Sequence, residues 1–115
     1  MSVLPLGSDF PVESVNPLLG FYAAITRLSV DGFSPHGAVG WFADQKLTRE
    51  QALKGMTIDA AYAAFAESEI GSLSPGKKAD FVVLDRDIMT VPPEDILHAK
   101  VTATVVDGVI QFGKL

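Results

Sequence analysis

Few residues in this chain have the chemistry to act on a substrate. Asp9 stands in Gly7-Ser8-Asp9-Phe10-Pro11, His36 and His98 stand alone, and there is no cysteine. A short apolar run, Val3 to Leu6, leads into the first stretch, and Asn16-Pro17 follows it as a helix start. Asn is a good N-cap and Pro a good first helical residue. Strand, Gly-Ser-Asp tip and helix make a βα unit, which puts Asp9 at the carboxyl end of a strand. In α/β barrels that end carries the chemistry. A carboxylate there can take up and give back a proton. Taken by themselves the same five residues read first as plain turn chemistry.

The elements that must position Asp9 can be read outward from it. Leu18, Phe21, Tyr22, Ile25 and Leu28 recur at helical spacing, which predicts an amphipathic helix over 17–28. Residues 30–46 show no period and hold His36, Trp41 and Phe42 among glycines and a proline. Such a loop either walls a substrate pocket or pins itself to the surface through Trp41. Thr48 to Gln51 spells a capping box, with Leu47 and Ala52 placed as a hydrophobic staple. That helix is expected to stop at Gly55, and Thr57 to cap a second helix whose alanines, 60 to 66, pack closely on a neighbour while Tyr62 and Phe65 supply bulk.

Gly71 opens a β-rich half. Gly71 to Lys78 comes close to a phosphate-binding loop, but Lys78 replaces the required hydroxyl, and a helix precedes where a strand should. Pro75-Gly76 reads as a turn. Ala79 to Leu84 is apolar throughout and predicts a strand covered on both faces. Glu94 to His98 predicts one helical turn. Asp107-Gly108, between Val101–Val106 and Val109–Phe112, predicts a two-residue hairpin that pairs Val105 with Ile110, Ala103 with Phe112 and Thr104 with Gln111.

Composition bounds the rest. The chain has 115 residues, 48% hydrophobic, with a net charge of −5, enough for one ordinary globular domain and unsuited to a nucleic-acid or anionic-membrane surface. No apolar run nears the roughly 18 residues of a membrane span. No signal-peptide pattern is present, so a cytoplasmic location is the default expectation. Without cysteine, thiolate metal sites and disulfides are excluded.

Several stretches together resemble one family. They are Gly-Ser-Asp-Phe-Pro at 7–11, Asn-Pro-Leu-Leu-Gly at 16–20, Leu-Thr-Arg-Glu-Gln-Ala-Leu at 47–53 and Met-Thr-Ile-Asp-Ala-Ala-Tyr at 56–62, then the long run from Ile70 to Asp85 and Thr-Val-Val-Asp-Gly-Val-Ile at 104–110. In this order the chain resembles the C-terminal portion of a metal-dependent amidohydrolase of the amidohydrolase 3 type. The resemblance implies an α/β fragment: the last β-strand and closing helices of a (β/α)₈ TIM-type barrel over residues 1–69, with residues 1–6 as the eighth strand, and the C-terminal strands of a small β-sandwich over 70–115. It implies hydrolysis of carbon–nitrogen, non-peptide amide-type bonds in a small molecule. It implies that Asp9 lies at a divalent metal, zinc by preference, and shuttles the proton of the attacking water.

The family's other metal ligands have no match in this chain. There is no His-x-His, and neither His36 nor His98 falls where the family places a ligand. The expectation is therefore that this chain alone binds no metal. Two readings stay open: a piece of an amidohydrolase, or a non-catalytic stand-alone binding or structural module that lost its barrel. Either way its exposed barrel-type elements are expected to self-associate or to pair with the missing barrel segment.

Overall fold

A computed structural model describes residues 2–115, so Met1 lies outside the described residues. The first helix, α1 (Pro17–Thr26), starts where the sequence places it: the Asn16 side chain accepts from the Leu18 N–H at 3.0 Å, and Pro17 opens the helix. It ends two residues earlier than its apolar stripe predicts. Arg27 turns left-handed, with φ 58°, and its N–H closes on the Ala23 carbonyl. The stripe itself is the core. Phe21 and Tyr22 are buried together with Ala52 and Ile96, and Leu6, Ile25 and Leu28 pack around them.

Helix α2 (Arg49–Met56) carries the full capping box. Gln51 N–H donates to the Thr48 hydroxyl at 3.2 Å, and the Gln51 side chain accepts from Thr48 N–H at 2.8 Å. It runs through Gly55 rather than stopping there. Gly55 is needed for a close approach: a Cβ on it would fall 2.7 Å from the Leu4 carbonyl oxygen and 2.8 Å from the Leu6 side chain. Arg49 reaches across to accept nothing and donate twice, to the carbonyls of Ile88 at 2.5 Å and Val91 at 2.6 Å. That fixes α2 to the segment before α4 (Pro93–Ile96), the short helical turn expected near Glu94.

Helix α3 (Ile58–Ala63) is shorter than its alanines suggest. Thr57 precedes it without capping it, because the hydroxyl donates back to the Leu53 carbonyl at 2.7 Å. Close packing holds at one alanine: Ala61 is buried, and a Cβ on Gly71 would sit 2.7 Å from its methyl. Tyr62 and Phe65 do not supply bulk to that contact, since both point to solvent and Phe65 is 93% exposed.

Strands β1 (Phe81–Leu84), β2 (Val101–Val106) and β3 (Val109–Gly113) form one antiparallel sheet in that order. The hairpin turn is as predicted, with Asp107 at φ 50° and Gly108 at φ 76°, the two left-handed residues of a primed turn. Val105 pairs with Ile110, but a bulge then slips the ladder, so that Thr104 faces Phe112 and Ala103 faces Gly113. Gln111 is the extra residue. Gly113 permits the new register: its φ is 73°, and a Cβ there would lie 1.8 Å from the Thr102 carbonyl oxygen. Strand β1 is not covered on both faces, Val82 being 54% exposed.

The fold is thus α/β, with a helical half and a three-stranded antiparallel sheet. Among the described residues no helix is long and apolar enough to cross a membrane.

Candidate functional site

Residues 2–8 lie in no strand. The expected strand over Val3–Leu6 finds no neighbouring strand, and Pro5 has no N–H to offer one. The segment is held by helices instead. Leu4 N–H donates to Asp59 Oδ2 at 2.9 Å, and Leu6 N–H donates to the Gly55 carbonyl at 3.0 Å.

Beyond Leu6 the chain turns. Val12 N–H closes on the Asp9 carbonyl at 2.9 Å, and Glu13 N–H on the Ser8 carbonyl at 3.2 Å. Asp9 takes a left-handed φ of 50° at this tip, a conformation in which Asp is among the better-tolerated residues. Its side chain is exposed. A groove of about 550 Å³ runs along the turn, lined by Ser8, Glu13, Asn16, Leu19, Val30 and Met56 among others. Its wall is mixed. Leu19, Val30 and Met56 offer apolar surface, while Ser8, Glu13 and Asn16 bring polar groups. Asp9 stands in the turn between Ser8 and Glu13, but its own side chain is not part of the groove's wall.

The two histidines lie elsewhere. His36 is turned into its own loop, where Nδ1 accepts from Phe42 N–H at 3.4 Å and the ring meets Phe42 edge-on at 5.1 Å. His98 follows α4, with its N–H on the Asp95 carbonyl. The loop over 30–46 pins itself down instead of walling the groove with aromatics. Arg27 lies 5.3 Å from the centre of the Trp41 ring and donates from Nε to the Trp41 carbonyl at 2.8 Å, while Trp41 N–H returns to the Arg27 carbonyl. Only Ser29 and Val30, at the start of this loop, reach the groove.

The donor set decides what metal chemistry the chain can support by itself. A catalytic zinc takes about three protein ligands. Among the described residues no three His, Asp or Glu side chains come together as a metal-holding group. Among the described residues, then, Asp9 brings one carboxylate and belongs to no metal-holding group of three.

Sequence reasoning passed over the pair Lys54 and Asp59. Asp59 is 4% exposed, and Lys54 donates to its Oδ1 while Leu4 N–H donates to Oδ2. The Leu4 N–H and then the Lys54 ammonium hold the Asp59 carboxyl below the usual carboxylate range. A spacing of five across a helix break carries no recognisable period, so the pair leaves no signal in the sequence.

Comparison with known proteins settles the lineage. The sequence model described as "Amidohydrolase family" matches residues 3–112. The chain belongs to the amidohydrolase family. It is 39% identical over 107 residues to the protein LONG AFTER FAR-RED 3 of Arabidopsis thaliana, covering 93% of this chain and 17% of that protein. It is 32% identical over 107 residues to the N-substituted formamide deformylase of Arthrobacter pascens, covering 93% of this chain and 19% of the enzyme. Among solved structures, an amidohydrolase from Thermotoga maritima matches with a TM-score of 0.66 at 25% identity, over 97% of this chain and 23% of that one. The chain spans roughly a fifth of the length of these relatives.

Proposed function

We propose that this chain is the C-terminal part of a metal-dependent amidohydrolase acting on carbon–nitrogen bonds of small molecules, with Asp9 as its proton-transfer residue. Residues 1–69 would belong with the end of the barrel and residues 70–115 with the small sandwich. The observation that carries the proposal is the setting of Asp9. An exposed carboxylate sits on a closed turn whose Ser8 and Glu13 line a groove, in a chain that the amidohydrolase family matches over residues 3–112.

The chemistry asked of Asp9 is modest. It accepts a proton from the water that attacks the carbonyl carbon and returns it to the nitrogen that leaves. A carboxylate suits both steps because the same oxygen can take up a proton and give it back. The divalent ion of the complete enzyme, zinc in this proposal, would polarise the carbonyl and acidify the water. Its remaining ligands would have to come from outside this chain. The formamide deformylase is named for an N-substituted formamide, and that class of amide is the substrate to try first.

The test is a chimera in which this chain replaces the 107 residues it aligns with in the Arthrobacter pascens deformylase. Deformylation by the chimera, falling about 10²–10⁴-fold on Asp9→Asn, is the expected result. Near-normal turnover by the Asn variant would remove Asp9 from the mechanism.

A further inference from the structure

Asp9 can serve only if its turn is held in place, and little holds it directly. Gly7, just upstream, has open space beside it: a Cβ built on it meets no atom within 4 Å. The last fixed points before Asp9 are therefore Leu4 and Leu6. Their N–H groups point the same way, two residues apart as in a strand edge, and both are taken by the corner between α2 and α3. One partner is the Gly55 carbonyl. The other is the Asp59 carboxylate.

The Asp59 contact is unusual in kind. A buried carboxylate is costly unless it is paired and hydrogen-bonded. Asp59 is both, with Lys54 on one oxygen and Leu4 N–H on the other. A carboxylate kept at the surface would be solvated at no such cost. Gly55 completes the arrangement from the other side. Its missing side chain lets the Leu4 carbonyl and the Leu6 side chain come within the space a Cβ would fill. Charge-assisted hydrogen bond, main-chain hydrogen bond and close approach thus converge on three consecutive residues, 4–6. From Leu6 the path to Asp9 is three residues long and closes at once in the turn on Ser8 and Asp9.

We infer that Asp59, with Gly55, is a positioning residue for Asp9: the α2–α3 corner clamps the segment that leads into the turn on which Asp9 stands. The inference rests on the role proposed for Asp9. Asp59 touches neither the groove nor Asp9. It acts through Leu4, as Gly55 acts through Leu6. Gln51 and Lys54 of α2 line a small cleft with Leu4 and Asp59, so the clamp is continuous with the helix whose cap is strongest.

The test measures amide exchange in the full 115-residue chain and turnover in the deformylase chimera. In Asp59→Ala, the Leu4 and Leu6 amides should exchange about tenfold to a hundredfold faster, while Thr104 and Val105 in β2 keep their rates. Asp59→Asn keeps an acceptor oxygen and should restore part of the protection. Gly55→Ala attacks the clamp from the main-chain side while favouring the helix. It should also free Leu4 and Leu6 without loosening the rest of α2. In the chimera, Asp59→Ala should lower kcat with little change in KM, and Asp59→Asn should recover most of the loss. Unchanged exchange at Leu4, equal acceleration at Leu4 and Thr104, or unchanged kcat in Asp59→Ala where Asp9→Asn is inactive would each overturn the inference. An active Asp9→Asn chimera would instead refute the role of Asp9, whatever the exchange shows.

Discussion

Asp80 Oδ1 accepts the main-chain N–H of Asp107 at 2.7 Å, across twenty-seven residues of sequence. Beside it, Gly108 N–H donates to the Ala79 carbonyl at 3.0 Å. The Asp107-Gly108 turn has its two N–H groups fixed to the chain just ahead of β1, so the hairpin and β1 are locked at one corner. The Lys-Ala-Asp and Asp-Gly stretches on which the resemblance rests are therefore partners in space.

This relationship makes the first prediction. Asp80→Ala leaves the Asp107 N–H without its acceptor and should cost about 1–2 kcal/mol, read as a fall of a few degrees in melting temperature. Asp80→Asn keeps an acceptor and should cost less. Equal losses in the two variants would mean that Asp80 acts by its charge and not by this hydrogen bond.

Asp85 sets the acid limit of the sheet. Arg86 donates to both of its oxygens, at 3.0 and 3.1 Å, and Lys100 N–H donates to Oδ1 at 2.9 Å. The Arg86 guanidinium first and the Lys100 N–H second lower its pKa from 3.8 to about 2. A carboxyl whose folded pKa is depressed binds its proton more readily in the unfolded chain. Its contribution is therefore full above about pH 4 and is lost as pH falls toward 2. Denaturant melts at pH 7, 4 and 2.5 should show the loss confined to the acid side, and Asp85→Asn should flatten part of that slope. A slope unchanged in the Asn variant would assign the acid sensitivity to other carboxyls, Asp59 first among them.

The local signals of the sequence were legible where one residue type has one job. Asn16-Pro17 starts α1, Thr48 and Gln51 cap each other, and Asp107-Gly108 makes the hairpin. Each of these is settled within a few residues. What failed depended on partners outside the motif itself. Gly55 looks like a helix stop because its close approach to Leu4 and Leu6 is invisible locally. Thr57 looks like a cap, but its hydroxyl prefers the Leu53 carbonyl one turn back. The hairpin register slips at Gln111 because Gly113 tolerates a close contact with Thr102. Asp9 was legible as a candidate from its turn and its motif, whereas the Asp59–Leu4 contact, fifty-five residues apart, had no sequence signature.

The capping box gives a third prediction with a known scale. Thr48→Ala removes the acceptor for Gln51 N–H and should destabilise the chain by about 1 kcal/mol. Thr48→Ser should be nearly neutral. Because Arg49 at the next position ties α2 to the carbonyls of Ile88 and Val91, fraying should spread there. Faster amide exchange at residues 88–91 in Thr48→Ala, with β2 unchanged, would show the coupling, and no change there would deny it.

The last prediction concerns what the 115-residue chain does by itself in solution. Three ligands are about what a catalytic zinc needs, and the described residues bring no three candidate side chains together. His36 is engaged with Phe42, and His98 stands beyond α4, so neither supplements Asp9. The chain should therefore hold zinc weakly and turn over no amide unless the rest of an amidohydrolase is supplied. Its surface points to a second behaviour. On one face of the sheet Val82, Val106, Val109 and Phe112 are all exposed around Thr104, and β3 is an edge strand with no residue buried. An apolar face beside an open edge favours pairing with another chain. Gel filtration followed by metal analysis tests both points: a metal-poor oligomer is the expected outcome. Replacing Val109 and Phe112 with lysine should shift that oligomer toward monomer, because charge on an edge strand opposes pairing. A monodisperse monomer with stoichiometric zinc would show that ligands converge here in a way the geometry of Asp9, His36 and His98 does not provide.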